Sequence, residues 1–186
     1  MKNGAQISQA QSGVKQKILS AISESVSEVQ YQYKSSCDSI TSNDITNRLC
    51  TALEAVFVHG LKETFLGRLS SRFSDGGVSS PRMPEPSFWT FALVFSHKEV
   101  INQLDSLGQI TTDIGRGRAW LRQALNDGLL VSYLGAMLAD KVSLAVHYEK
   151  FAFLRYKHYD FYWLILVYCC VEFALNSQMY HSIHPS

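Results

Sequence analysis

The densest chemistry in the chain lies in TDIGRGRAWLRQALND, Thr112 to Asp127, where Arg116, Arg118 and Arg122 gather at the expected start of a helix. A guanidinium is always charged and offers a planar fork of N–H donors matched to carboxylates. A helix N-terminus is itself partly positive, so arginines placed there require an anionic partner to offset the repulsion. Arg118 and Arg122 are four apart and share a face, while Arg116 and Trp120 point roughly opposite. Arg116 stands at the helix entry, where the first turn still lets it reach a shared surface. Two kinds of partner are open. One is an internal acid, with Glu54, Asp113 and Asp127 as candidates; the other is an acidic surface on another molecule.

The remaining reactive residue types form no catalytic constellation. The six histidines, His59, His97, His147, His158, His181 and His184, make no recognisable ligand set. Cys37, Cys50, Cys169 and Cys170 contain no C-x-x-C pair, which fits reduced thiols in a cytosolic protein and no zinc site. GRGRAW places Trp120 where a dinucleotide fingerprint needs its third glycine, and no strand precedes it. Walker, G-x-S-x-G and H-E-x-x-H motifs are missing. The reading is therefore a non-enzyme with no metal and no cofactor. Nucleic acid is also set aside: aromatics reach 12%, yet acids balance the bases to a net charge of +1.

The elements that must position these residues follow from apolar spacing. At 186 residues, 46% hydrophobic and 18% charged, the chain is long enough to bury one domain core. Residues 1–12 are polar, show no apolar period and are expected to be disordered; they also lack the apolar core of a signal peptide. Val14, Ile18, Ile22, Val26, Val29 and Tyr33 form one helical stripe. A loop follows, with Ser42, Asn43 or Asp44 as cap. The second helix is predicted over ITNRLCTALEAVFVHGLKETFL, with Leu61 and Phe65 on its apolar face.

SDGGVSSPRMPEP then reads as a connection. Pro86 opens a short helix, and Ser96 with Glu99 predicts a capping box for the next, ended by Gly108. The arginine helix is expected from about Gly115 to Asn126, and Gly128 separates it from LLVSYLGAMLADKVSLAVHY. The fold class is all-α, a single bundle of about seven to eight helices. The last segment differs in texture: Phe161 to Val171 is a run of uncharged apolar or aromatic residues, too short for a membrane span of about 20 residues.

Four blocks carry a resemblance. LCTALEAVFVHGLK (Leu49 to Lys62), SFWTFALVF (Ser87 to Phe95), DIGRGRAWLRQALNDGLLVSYLGAML (Asp113 to Leu138) and HYEKFAFLR (His147 to Arg155) strongly resemble RUN domains. They are most similar to those opening the pleckstrin-homology-domain-containing family M adaptors, the first member in particular. The resemblance covers residues 13–155 as the domain and leaves 156–186 as an atypical apolar tail. Members usually continue there with an acidic stretch and an amphipathic helix, which YKHYDFYWLILVYCC replaces.

The resemblance implies a non-enzymatic protein-binding adaptor module for small GTPases of the Rab or Arf-like groups. Such adaptors are cytoplasmic and are recruited to late endosome and lysosome membranes, in vesicle trafficking and autophagosome–lysosome fusion. Membrane contact is then indirect, through partners. The resemblance carries a GTPase-binding surface onto His59, Arg116, Arg118 and Arg122. The alternative is a scaffold or regulatory fragment that binds no GTPase, competes with a full-length adaptor, or self-associates through Phe161–Val171.

Overall fold

The structure, a computed structural model, describes residues 2–33, 43–62 and 87–155. α1 spans Lys2–Tyr33 and α2 spans Asp44–Val58. After them come α3 (Trp89–Phe95), α4 (Lys98–Asp105), α5 (Asp113–Asn126), α6 (Leu130–Ala139) and α7 (Lys141–His147). A 3-10 turn, Phe153–Arg155, closes the described chain. Among the described residues there is no sheet, and one isolated antiparallel bridge joins Leu61 to Tyr148. The all-α expectation holds.

α1 starts at Lys2, not near Val14, so residues 2–12 continue the helix where the sequence reading expected disorder. Once the stripe from Ile18 to Val29 is packed, each added residue gains a backbone hydrogen bond at little nucleation cost. Within that stripe Ile18, Ile22, Val26 and Val29 are buried, mostly against α2. Asn43 caps α2 through a reciprocal box: its side chain accepts from the Thr46 amide, and the Thr46 hydroxyl accepts from the Asn43 amide, each at 2.9 Å.

Four boundaries differ from the expectation. α2 stops at Val58, with His59 as C-cap, and Gly60 turns the chain at φ 74°. A Cβ on Gly60 would stand 2.6 Å from Ala152 Cα, so both conformation and space demand glycine. Leu61 therefore leaves the helix for the bridge, while Phe65 lies outside the described residues. Ser96 makes no box with Glu99; it ends α3 and its hydroxyl donates to the Ala92 carbonyl at 2.8 Å. α4 ends at Asp105, ahead of Gly108. The segment after Gly128 breaks at Asp140, whose carboxylate accepts from the Val142 and Ser143 amides and starts α7.

The core centres on Phe57, stacked on Phe88 at 4.8 Å between centroids and edge-on to Trp120 at 5.8 Å. Trp120 is fully buried, as are Phe91, Leu130, Leu134 and Met137. Gly117, the second glycine of GRGRAW, is where the Phe88 ring lies against α5: a Cβ there would meet it at 3.2 Å. Of the glycines that resembled a nucleotide loop, Gly117 serves helix packing and Gly115 lies close against Ile110 and the capping Thr112. Phe161 to Val171 and the rest of the tail lie outside the described residues.

Candidate interaction surface on the arginine helix

α5 begins with Thr112 as N-cap, its hydroxyl accepting from the Gly115 amide at 3.1 Å. Asp113 in the first turn supplies the negative charge that the helix end favours. The three arginines then divide between different neighbours. Arg116 Nη1 donates to Asp113 Oδ1 at 3.1 Å, and Arg116 Nε stands 3.3 Å from Asp105 Oδ1 on α4. That second contact is an ion pair without hydrogen-bond geometry, for Nε is buried and makes no hydrogen bond. At 28% exposure, Arg116 chiefly pins α4 to α5. Asp113 was a sequence candidate, whereas Asp105 carried no signal because it meets Arg116 only after α4 has folded back.

Arg118 reaches across to α2. Its Nε donates to both oxygens of Glu54 at 2.9 Å, and the pair is unequal in exposure, 54% for Arg118 and 17% for Glu54. Among the described residues Arg122 makes no ion pair. Its Nη2 donates to Asn47 Oδ1 at 3.3 Å and its Nη1 to the Arg118 carbonyl at 3.5 Å. Asp127, the third acidic candidate, pairs with none of the three among the described residues. Arg118 and Arg122 line a cleft of about 260 Å³ between α2 and α5, together with Asn47, Cys50, Thr51 and Glu54. Burial pushes the Cys50 thiol up from its ordinary value, the reverse of what a nucleophile needs.

His59 lies apart from this cleft. Its Nδ1 accepts from the Phe153 amide at 3.0 Å, its Nε2 contacts Gln11 Oε1 at 3.1 Å, and its ring meets Phe151 edge-on at 6.0 Å. Burial, followed by the nearby Lys15 charge, lowers its pKa. The residue joins α1, the end of α2 and the 3-10 turn. Of the four positions carried over by resemblance, the geometry brings two, Arg118 and Arg122, into one cleft. Asn47 and Glu54 complete it. Glu54 was among the acids the sequence offered as internal partners, whereas Asn47, two turns earlier on the same face of α2, had no assigned role.

The family model for the RUN domain matches residues 48–179, from the second turn of α2 through α7, and includes the whole cleft except Asn47. The chain belongs to the RUN domain family. The match continues past Arg155, where the sequence reading ended the domain, and begins after α1. Pleckstrin homology domain-containing family M member 2 from Homo sapiens is 30% identical over 142 residues. The Mus musculus protein of the same name is 32% identical over 126 residues. These alignments cover 74% and 65% of this chain but only 12% and 10% of those relatives. Both are the second member of the adaptor family, whereas the sequence reading put the first forward. The RUN domain here is an interaction module. Among its described residues no helix is long and apolar enough to cross a membrane, and no group of His, Cys, Asp and Glu could hold a metal ion.

Proposed function

We propose that this RUN domain is a non-enzymatic adaptor module that binds a small GTPase of the Rab or Arf-like group, at late endosome or lysosome membranes, through the exposed arginines of α5. The observation that carries the reading is the pair Arg118 and Arg122, on successive turns and opening into one cleft. Arg116, held by two carboxylates, and His59, held by Phe153 and Gln11, support the surface by fixing α5 and α2. This narrows the four-residue surface of the resemblance to two partner-facing arginines.

The test is calorimetric titration of the whole chain against a panel of GTP-loaded Rab and Arf-like GTPases. At least one should bind, with affinity falling as salt rises. Charge reversal at Arg118 and Arg122 together should weaken it by on the order of tenfold or more. Binding that survives the double reversal in a folded protein refutes the surface; failure of the whole panel refutes the GTPase.

A further inference from the structure

We propose that the α2–α5 cleft and the adjoining α1–α2 groove are one docking surface for an acidic, partly apolar segment of a protein partner, with Glu54 as a resident competitor for the partner's carboxylate. The identity of the partner rests on the GTPase reading; the chemistry rests on the cleft.

The donor inventory of the cleft is unbalanced. Both Glu54 oxygens converge on Arg118 Nε, which leaves the Nη groups of Arg118 without an acceptor among the described residues. Among the described residues Arg122 has only neutral acceptors, at 3.3 and 3.5 Å, the long end of hydrogen bonding. Two guanidiniums therefore face one carboxylate. A single incoming carboxylate neutralises the site and meets a fork of N–H donors. A phosphate dianion or a polyanion would overshoot neutrality and would also be repelled by Glu54. The volume of about 260 Å³ admits one side chain.

What adjoins the cleft identifies the occupant as protein. Asn47 and Thr51 line both it and a larger groove of about 760 Å³ between α1 and α2. Val14, Ala21, Ala52 and Ala55 contribute apolar wall to that groove, and Glu24, Glu28 and Asp44 on its lining keep the segment's acidic residue to the arginine cleft. A segment with an acidic residue beside apolar ones can place the first at Arg122 and the others along α1, with α2 as the shared wall. Glu54, only 17% exposed, stays in place and competes for Arg118. It thereby sets the affinity and keeps the cleft from holding stray anions.

The experiment follows the arginine Nε–Hε NMR signals of the whole chain during titration with glutarate, then repeats the GTPase titrations. Glutarate is expected to shift Arg118 and Arg122 while leaving Arg116 and Arg48 unmoved. Glu54→Gln, which keeps the side-chain shape, should tighten glutarate and partner binding about two- to five-fold, the range for an exposed ion pair. Arg122→Ala should lose the glutarate response. Ala21→Arg should keep that response yet weaken partner binding.

The proposal is overturned if Arg48 responds as strongly as Arg122, if Glu54→Gln fails to tighten, or if inorganic phosphate binds better than glutarate. A GTPase that binds but ignores Arg122→Ala and Glu54→Gln sinks the cleft and spares the GTPase reading. A glutarate response with no GTPase bound does the reverse.

Discussion

His59 makes two contacts that one tautomer satisfies together. Nδ1 must be bare to accept the Phe153 amide, so Nε2 carries the proton it donates to Gln11 Oε1. Protonating Nδ1 would set a donor against a donor, beside Lys15, a cation in electrostatic reach. The folded pKa lies below the ordinary 6.5, so on acidification the unfolded chain takes up the proton first. The contribution of His59 is complete above pH 6.5 and is lost as pH falls from there toward the folded value. Urea midpoints measured from about pH 8 to pH 5 should therefore drop on acidification, and His59→Gln should flatten that part of the curve. A wild-type profile parallel to the variant's would refute the tautomer assignment. Histidine followed by glycine was visible in the sequence. Its role was not, because the amide it accepts from lies 94 residues away.

At the scale of elements, apolar period located the helices well and chemistry at their ends located them less well. The stripe on α1 packed from Ile18 to Val29 but left Val14 exposed, and the broad face of α2 packed through Leu49, Leu53, Val56 and Phe57. Caps were harder to read because several residues compete for each. Asn43 prevailed over Ser42 and Asp44 by exchanging two hydrogen bonds with Thr46. Ser96 instead turned back to Ala92, which left α4 with no side-chain cap bond. Asn43→Ala should cost about 1 kcal/mol in urea denaturation. Glu99→Ala should cost less than about 0.5 kcal/mol, since the box that its spacing suggests is not formed. Equal losses would contradict this assignment of caps. Arg116 belongs to the same scale: its two aspartates lie on α4 and α5, so it reports on helix packing more than on recognition.

For the whole molecule, a short set of contacts ties the last described residues to the end of α2. The Tyr148 hydroxyl, fully buried, donates to the Phe57 carbonyl at 2.7 Å. The Glu149 amide donates to the Gly60 carbonyl and the Lys62 amide to the His147 carbonyl, both at 2.8 Å. Tyr148→Phe leaves the Phe57 carbonyl without this donor and should cost about 1–3 kcal/mol. Gly60→Ala combines a disfavoured φ with a backbone clash and should cost roughly 2–4 kcal/mol, measured in the same way. If it were silent, the approach of Ala152 to Gly60 would be wrong. None of this long-range closure could be read from local spacing. The resemblance blocks held both halves, LCTALEAVFVHGLK and HYEKFAFLR, without indicating that they meet.

That closure also bears on how the protein is made. Synthesis runs from the N-terminus, so α2 leaves the ribosome long before Phe153 exists to occupy Nδ1 of His59. Until then Gly60 and Leu61 have no partner strand, and closing so long a loop carries an entropic cost that local helix formation does not repay. Chains arrested on the ribosome before residue 153 should be cut by protease near the end of α2, and chains arrested well beyond it should resist. The domain thus becomes a cooperative unit no earlier than its Phe153–Arg155 turn, downstream of both helices that carry its arginine cleft.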